Sequence, residues 1–149
     1  MNFKGARVAS DQAIKYETIA DYMATDLITF TPDQEIAQAI DIMLTKRISG
    51  GPVLNEKREL VGMLSEKDCL KVLVQSSYHN MPSGKGLVKD YMSENVKTLE
   101  MDTDVVACAN EFLNTYFRRF PVTQNGILKG QISRRDIMRA AQKIKATTW

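Results

Sequence analysis

Apolar positions along the chain alternate between the spacing of strands and the spacing of helices. Residues 27–30 form a short β-prone run, and residues 31–33 resemble a helix start, with a capping hydroxyl, a proline and an acid. The next apolar residues share one helical face: Ile36, Ile40, Met43 and Leu44. Two apolar runs, residues 52–54 and 60–64, flank a charged turn and predict a hairpin, and a helix follows from Ser65. The predicted order is strand, helix, strand, strand, helix.

The same pattern returns 69 residues later. The sequence Asp-Tyr-Met at residues 21–23 reappears at residues 90–92, and the segment 62–68 reappears as 130–136 after one residue is removed from a turn. The second helical face again lies at the equivalent positions, so we predict that both faces belong to the core: Val105, Ala109, Phe112 and Leu113. Self-similarity of this kind indicates two copies of one supersecondary unit, which we expect to complete each other's core.

The repeat sets the predicted organisation of the chain. Residues 1–18 are a lead-in segment, and an apolar pattern within residues 10–23 predicts that it joins the first copy as a helix. We call residues 19–74 repeat one and residues 88–145 repeat two, with a polar linker at residues 75–87 and a tail at residues 146–149. The one histidine, His79, lies in the linker without Cys or carboxylate at ligand spacing, so no metal site is predicted.

Composition is ordinary for a globular protein. The chain has 149 residues, of which 44% are hydrophobic and 26% are charged. No apolar run approaches the roughly 20 residues that span a bilayer, and no secretory signal is predicted, so we expect no membrane association. Cys69 and Cys108 lie far apart in apolar helical patterns, which favours free thiols over a disulfide and a cytoplasmic location.

The two repeats differ in charge. Repeat one has six Lys or Arg and nine Asp or Glu, a formal charge of −3, whereas repeat two has ten and seven, a charge of +3. A solvated surface explains such a difference, and the alternative is that repeat two faces an anion.

The order and duplication of these motifs resemble the CBS domain, named after cystathionine β-synthase. Two copies in tandem resemble a Bateman module, and the resemblance covers residues 18–141. It implies an α+β fold in which two β-α-β-β-α repeats pack with pseudo-twofold symmetry. It also implies clefts between the repeats that hold adenosine-containing ligands, and pairing of two modules into a disc-shaped homodimer.

The resemblance also implies a role for the aspartate that closes each Gly-x-x-Ser-x-x-Asp segment. In the family this residue holds the ribose hydroxyls, and it corresponds to Asp68 and Asp136. Ser65 and Ser133 precede them at helix starts, where backbone N–H groups favour phosphate. A second interpretation needs no ligand, because Ser-x-x-Asp before an apolar run is close to a capping box. The two interpretations are compatible.

Basic residues distinguish the two candidate sites. Guanidinium groups bind phosphate oxygens in a bidentate fashion, and the candidates in repeat two are Arg118, Arg119, Arg134 and Arg135. Lys67 lies in the equivalent segment of repeat one, beside Glu66. Gly50-Gly51 replaces Arg119-Phe120 there, so the sequence favours the site centred on Asp136, with phosphate contacts from either repeat. A solvated basic surface is the alternative.

Four further residues are candidates through the same resemblance. Thr29 and Thr98 end the first strands, where family members contact the ligand. Phe120 and Pro121 stand where family members place an apolar wall beside the base.

Catalysis finds no support in the sequence. Phosphate-binding glycine loops, zinc-protease motifs and a nucleophile–base pair are all lacking, so we predict neither an enzyme nor a catalytic cofactor. The leading hypothesis is a stand-alone regulatory module that binds AMP, ADP, ATP or S-adenosylmethionine and signals to an unknown effector protein. One alternative is a ligand-free dimerisation scaffold. Another is nucleic-acid binding by repeat two, which the small net charge of +2 disfavours.

Overall fold

The computed structural model describes residues 16–78 and 86–148. Repeat one contributes α1 (Ile36–Lys46), β1 (Gly50–Leu54), β2 (Leu60–Ser65) and α2 (Glu66–Tyr78). Repeat two contributes α3 (Val88–Tyr91), β3 (Leu99–Glu100), α4 (Val105–Leu113), β4 (Arg119–Gln124), β5 (Ile127–Ser133) and α5 (Arg134–Thr148). The mixed helix and strand fold expected from the sequence is confirmed. His79, most of the lead-in segment and Trp149 lie outside the described residues.

Each repeat builds its sheet around an antiparallel hairpin. β1 pairs with β2, and β4 pairs with β5 and, in parallel, with the short β3. In repeat one the strand predicted at residues 27–30 is reduced to one parallel bridge between Phe30 and Val53. Phe30 N donates to Pro52 O at 2.9 Å, and Leu54 N donates to Phe30 O at 2.8 Å. Extended pairing therefore occurs within the predicted run, but only at its last residue.

The first helix starts later than the sequence predicted. Residues 31–34 close a turn instead, in which Gln34 N donates to Thr31 O and Thr31 N donates to Gln34 Oε1, each at 3.2 Å. Glu35 is extended and precedes the first helical residue. The glutamine side chain, which the sequence analysis did not weigh, supplies the acceptor that makes the turn more favourable than a helix there.

The segments that lead into the repeats are exchanged between them. Ile19 N donates to Thr103 O in repeat two, and Val88 N donates to Gln34 O in repeat one. The predicted lead-in helix is wrong in its described part, where a 3-10 turn at Ile19–Asp21 is followed by an extended segment that pairs with β5 through Ala24. The first segment of each repeat thus packs on the other repeat, in agreement with the expectation that the two copies complete each other's core.

The exchange explains two motifs at once. Met23 packs over Gly130, and Met92 packs over Gly62. A Cβ atom at Gly62 would lie 2.6 Å from the Met92 sulfur, and one at Gly130 would lie 2.6 Å from the Ala24 carbonyl oxygen. Each glycine therefore admits the methionine of the other repeat, so Asp-Tyr-Met and Gly-x-x-Ser are two sides of one contact.

The two cores are filled from opposite strands. Phe30 is 1% exposed in repeat one, and Phe120 is fully buried in repeat two. The positions equivalent to them are occupied by Leu99 and Gly51. A Cβ at Gly51 would lie 3.0 Å from the Phe30 ring. In repeat one the Phe30 ring therefore fills the space beside Gly51, whereas in repeat two Phe120, at the position equivalent to Gly51, fills the core itself.

One part of the predicted core is wrong. Leu44 is 74% exposed and Leu113 is 82% exposed. Both lie near the C-terminal ends of their helices, α1 and α4, one residue beyond the last buried position of each helix, Met43 and Phe112. The error occurs at equivalent positions, so both repeats leave an apolar helix surface open.

Candidate functional site

A cavity of about 360 Å³ lies between the two repeats. Its size falls in the range of small-molecule sites. Repeat one lines it with Ser49, Gly50, Met63, Leu64, Ser65 and Asp68. Repeat two lines it with Ser93, Asn95, Val96, Lys97, Phe117, Arg118, Arg119, Pro121 and Gln131. The cavity is therefore built jointly, around the first residues of α2.

Asp68 is held by a capping box at the start of α2. Its Oδ2 accepts from Ser65 N at 2.9 Å and from Ser65 Oγ at 3.0 Å, and Asp68 N donates to Ser65 Oγ at 3.2 Å. These bonds satisfy orphan N–H groups of the helix end. The capping interpretation is therefore confirmed, and it fixes the carboxylate in the wall of the cavity.

The second oxygen of Asp68 meets a lysine. Lys71 Nζ lies 3.2 Å from Asp68 Oδ1 and 3.5 Å from Tyr91 O, which belongs to the exchanged segment of repeat two. The lysine side chain is 54% exposed, whereas that of Asp68 is 10% exposed. Because the cap takes Oδ2 and the lysine is the solvent-exposed end of the pair, Oδ1 is the carboxylate oxygen that remains available to a further partner.

Repeat two reproduces this arrangement around Asp136. Its Oδ2 accepts from Ser133 N at 2.8 Å, and Asp136 N donates to Ser133 Oγ at 3.1 Å. Arg139 Nη2 lies 2.8 Å from Asp136 Oδ1 and donates to Tyr22 O at 3.3 Å. The bidentate-capable arginine replaces the lysine of repeat one and holds the outer oxygen more closely.

Positive charge gathers in the cavity at Asp68. Lys97, Arg118 and Arg119 all line it, and all three side chains are exposed. Lys97 also forms an ion pair with Glu111 at 3.5 Å. Glu66, which stands in repeat one where repeat two has Arg134, lines a neighbouring groove between α1 and α2 and not this cavity. Two of the four arginines predicted from repeat two, Arg118 and Arg119, thus lie with the aspartate of repeat one.

The remaining basic candidates lie elsewhere. Arg134 Nε donates to Phe117 O at 3.1 Å, which ties the start of α5 to the segment before β4. Arg135 and Lys67 are exposed. Arg134, Arg135 and Lys67 do not line the cavity at Asp68.

The candidate wall residues separate in the structure. Pro121 is buried and lines the cavity, whereas Phe120 points into the core and packs against Phe112 with ring centroids 4.6 Å apart. The placement of Phe120 beside a base is therefore not what the structure shows, because alternation along β4 sends neighbouring side chains to opposite faces. Thr29 and Thr98 are half-buried and do not line the cavity.

Several lining residues were missed in the sequence. Met63 lies two residues before Ser65 on β2 and so shares its face. Val96 and Lys97 directly precede Thr98. Strand alternation counted back from the serine would have found Met63, whereas Ser93 and Asn95 sit in irregular backbone that periodicity does not describe.

Neither a metal site nor a membrane span is found where the structure describes the chain. Within residues 16–78 and 86–148, no three His, Cys, Asp or Glu side chains are grouped to bind a metal ion. No helix of these residues combines the length and apolar character that crossing a membrane needs. Both cysteines are free, as predicted, and burial raises the pKa of the Cys108 thiol to about 11.

A family model for the CBS domain matches residues 19–75 and 88–143. The chain belongs to the CBS domain family. The resemblance inferred from the motifs is confirmed, and each matched stretch falls on one of the two repeats.

Solved CBS-pair proteins share this fold. The crystal structure of CBSX2 in complex with AMP is 30% identical, with a TM-score of 0.73, over 87% of this chain and 98% of that chain. CBSX2 is a protein of Arabidopsis thaliana.

Curated relatives are longer than this chain. The chloroplastic CBS domain-containing protein CBSX1 of Arabidopsis thaliana is 29% identical over 155 residues, covering 86% of this chain and 65% of the relative. The uncharacterized protein MJ1225 of Methanocaldococcus jannaschii is 26% identical over 123 residues, covering 83% and 42%. The chain therefore spans between two fifths and two thirds of the length of these relatives.

Proposed function

We propose that this CBS pair binds an adenosine-containing nucleotide in the cavity at Asp68 and acts as a regulatory module. The observation that carries the proposal is the joining, in one cavity, of a fixed carboxylate from repeat one with three cations from repeat two. A carboxylate can accept from both hydroxyls of a ribose, and guanidinium groups suit phosphate oxygens. CBSX2, which is similar over most of its length, was solved with AMP.

Residues of the cavity are available to contact the ribose, the phosphate and the base of the nucleotide. Asp68 Oδ1, shared with the exposed Lys71, takes the ribose. Arg118, Arg119 and Lys97 take the phosphate, helped by the N-terminus of α2, a helix of 13 residues. Apolar side chains of the lining, such as Met63 and Val96, take the base. The same chemistry is available to AMP, ADP and ATP, and S-adenosylmethionine would place its sulfonium near the cations, which disfavours it.

The preferred site moves from Asp136 to Asp68. The sequence favoured Asp136 because the arginines belong to repeat two, but Arg118 and Arg119 line the cavity of Asp68. Asp136 keeps the same capping geometry and is retained as a second, weaker site because Arg139 holds its outer oxygen at 2.8 Å.

The output of the module is a change in how two copies meet. Apolar side chains on the helices of both repeats are exposed, which supports a homodimer: Leu44, Leu70, Leu73, Leu113 and Met138. Ser49 lines both the nucleotide cavity and the groove between α1 and α2. A ligand that shifts this segment therefore changes the dimer surface, and an effector protein senses the change.

The proposal assigns no reaction to the repeats. Their carboxylates serve as helix caps and ion-pair partners rather than as a paired acid and base. The free thiols are consistent with a reducing compartment such as the cytoplasm. Nucleic acid is disfavoured as a partner, because Lys97, Arg118 and Arg119 line a cavity that also contains the carboxylate of Asp68.

A thermal-shift titration tests the proposal. AMP, ADP, ATP and S-adenosylmethionine are added to the wild type and to the Asp68→Asn and Asp136→Asn variants. Ligand at a hundred times its Kd adds about 2.7 kcal/mol of stability. We expect stabilisation by a nucleotide that Asp68→Asn abolishes and Asp136→Asn retains, since asparagine keeps an oxygen for the cap but loses the charge.

Other outcomes contradict parts of the proposal. Loss in Asp136→Asn alone would move the site to repeat two. Flat curves for all four compounds in the wild type would favour the ligand-free scaffold.

The phosphate contacts have a separate test. In Arg118→Met and Arg119→Met, we expect AMP affinity to fall by at least about tenfold while adenosine affinity stays the same, because a charge-assisted hydrogen bond contributes roughly 1.5–3 kcal/mol. Arg135→Met is the matched control, since Arg135 is exposed and lies outside the cavity. Equal losses for AMP and adenosine would remove these arginines from the phosphate site.

A further inference from the structure

Three cations line the cavity at Asp68, and one of them already has an acidic partner. Lys97 Nζ lies 3.5 Å from Glu111 Oε2, and Glu111 belongs to α4 rather than to the lining of the cavity. Among residues 16–78 and 86–148, no carboxylate forms an ion pair with Arg118 or Arg119. The cavity therefore has two arginines without an acidic partner and one lysine that is shared with α4.

The charged pair has no counterpart in repeat one. The positions equivalent to Lys97 and Glu111 are Ile28 and Ile42. Both isoleucines are half-buried and pack against the core of repeat one. The same supersecondary unit is thus built with apolar side chains at these two positions, so its packing does not require a charge at either of them.

The pair between Lys97 and Glu111 is open to solvent. The lysine side chain is 47% exposed and the glutamate side chain is 37% exposed. An ion pair exposed to this extent contributes little to the free energy of folding, because water screens it and two long side chains lose freedom. The flexible four-carbon stem of a lysine also lets its ammonium group change partner by rotation. The Lys97 ammonium can therefore turn from Glu111 to an anion in the cavity at a small cost in stability.

We propose that Glu111 sets the affinity of this cavity for phosphate by acting as the counter-ion of Lys97. The Glu111 carboxylate and a bound phosphate compete for one ammonium group, so the carboxylate weakens the binding of phosphorylated ligands. Glu111 is a positioning residue, because it lies outside the lining and acts through Lys97. The inference rests on the proposed function and adds a residue that determines how strongly the site selects for phosphate.

The size of the effect should follow the charge of the ligand. Adenosine carries no phosphate, so its binding gains nothing from the release of Lys97. The competition for the ammonium is stronger for ATP than for AMP, because the Coulomb energy grows with the charge of the ligand. Adenosine, AMP and ATP share a base and a ribose and therefore form a series in which the phosphate charge alone changes.

Isothermal titration calorimetry of the full chain with adenosine, AMP and ATP tests the inference. At low ionic strength, Glu111→Gln should bind AMP about two- to fivefold more tightly than the wild type, the range that an exposed ion pair contributes. The gain should be larger for ATP and absent for adenosine. Asp102→Asn is the matched control and should leave all three affinities unchanged, because Asp102 is exposed, belongs to repeat two and lies outside the cavity.

A double-variant cycle determines whether Glu111 acts through Lys97. Lys97→Met should weaken the binding of AMP, and in that background Glu111→Gln should no longer strengthen it. A gain of the same size with and without Lys97 would show that Glu111 acts through its charge alone, which would overturn the inference. An equal gain in Asp102→Asn, or an equal gain for adenosine and AMP, would overturn it as well.

Stability measurements separate a structural role from the proposed one. Because the ion pair is exposed, Glu111→Gln should keep the melting temperature of the wild type. A lower melting temperature with an unchanged AMP affinity would show that the pair serves the fold and would overturn the inference alone. A wild type that binds neither AMP nor ATP would contradict the proposed function, and this inference would fail with it.

Discussion

Asp68 in repeat one and Asp136 in repeat two have matching neighbours: a serine three residues earlier, a cation three residues later, and a tyrosine carbonyl of the exchanged segment. The surfaces around them differ. Repeat one has Gly50 at the start of its hairpin, where repeat two has Arg119. The duplication has thus kept the contacts that hold the repeats together and changed residues that line the cavity.

The comparison shows where a repeat protein is free to vary. Contacts between exchanged segments involve both repeats, so a change in one requires a matching change in the other. The cavity at Asp68 takes its carboxylate from repeat one and its cations from repeat two. One cavity with this combination of charges does not require the same combination around Asp136.

The largest expected effect tests whether the two cores are equivalent. Phe30→Ala and Phe120→Ala should each lower the free energy of unfolding by about 3–5 kcal/mol, measured by urea denaturation, because each ring fills a core. Phe117→Ala is the control, since Phe117 is 51% exposed. If Phe120→Ala lowers the free energy of unfolding no more than Phe117→Ala does, the Phe120 ring does not belong to the core. The sequence-based prediction that Phe120 forms a wall beside the base would then be favoured again.

A smaller effect separates the helix caps. Asp104 caps α4 by accepting from Ala107 N at 2.7 Å, whereas Glu35 makes no side-chain capping bond to α1. Asp104→Ala should lower stability by about 1 kcal/mol and Glu35→Ala by a few tenths. Glu35→Asp should raise it, because the shorter carboxylate can reach the helix end. Equal losses in the two alanine variants would show that the caps do not distinguish the repeats.

The smallest effect is a pH dependence found in one repeat. A hydrogen bond from Lys143 lowers the pKa of Glu17, and the equivalent position 69 residues later, in the linker, is Gly86. Since the folded-state pKa lies below the unfolded one, the contribution to stability is present above the ordinary pKa of 4.5 and is lost as the pH falls through the folded value. Glu17→Gln should remove this acid-side dependence, and carboxyl NMR titration should find the lowered pKa. A Glu17 pKa at its ordinary value would contradict the contact.

The fold could be predicted because its main signals are local or repeated. Hairpin turns, caps and the duplicated motifs all specify backbone within a few residues, and Asn125-Gly126 forms its turn with positive φ at both positions. Helix boundaries were less certain, since the start of α1 depends on which acceptor Gln34 provides. Leu44 and Leu113 were misplaced because periodicity identifies an apolar face but not what covers it.

The site was harder to predict because it depends on the packing between repeats. The sequence named Asp68, Arg118 and Arg119, but it grouped the arginines with the aspartate of their own repeat. The pseudo-twofold packing joins residues that are distant along the chain, and no pattern in one repeat reports which of them will meet.

The exchange of leading segments also has a consequence for synthesis. Val88 and Tyr91 belong to the core of repeat one, yet they are translated after all of its strands and helices. The first repeat therefore leaves the ribosome with an incomplete core, and this core closes only after the start of the second repeat has been synthesised. At about 5–20 residues per second this delay is on the order of one second, during which the nascent first repeat exposes the glycine-bearing strand that Met92 will cover.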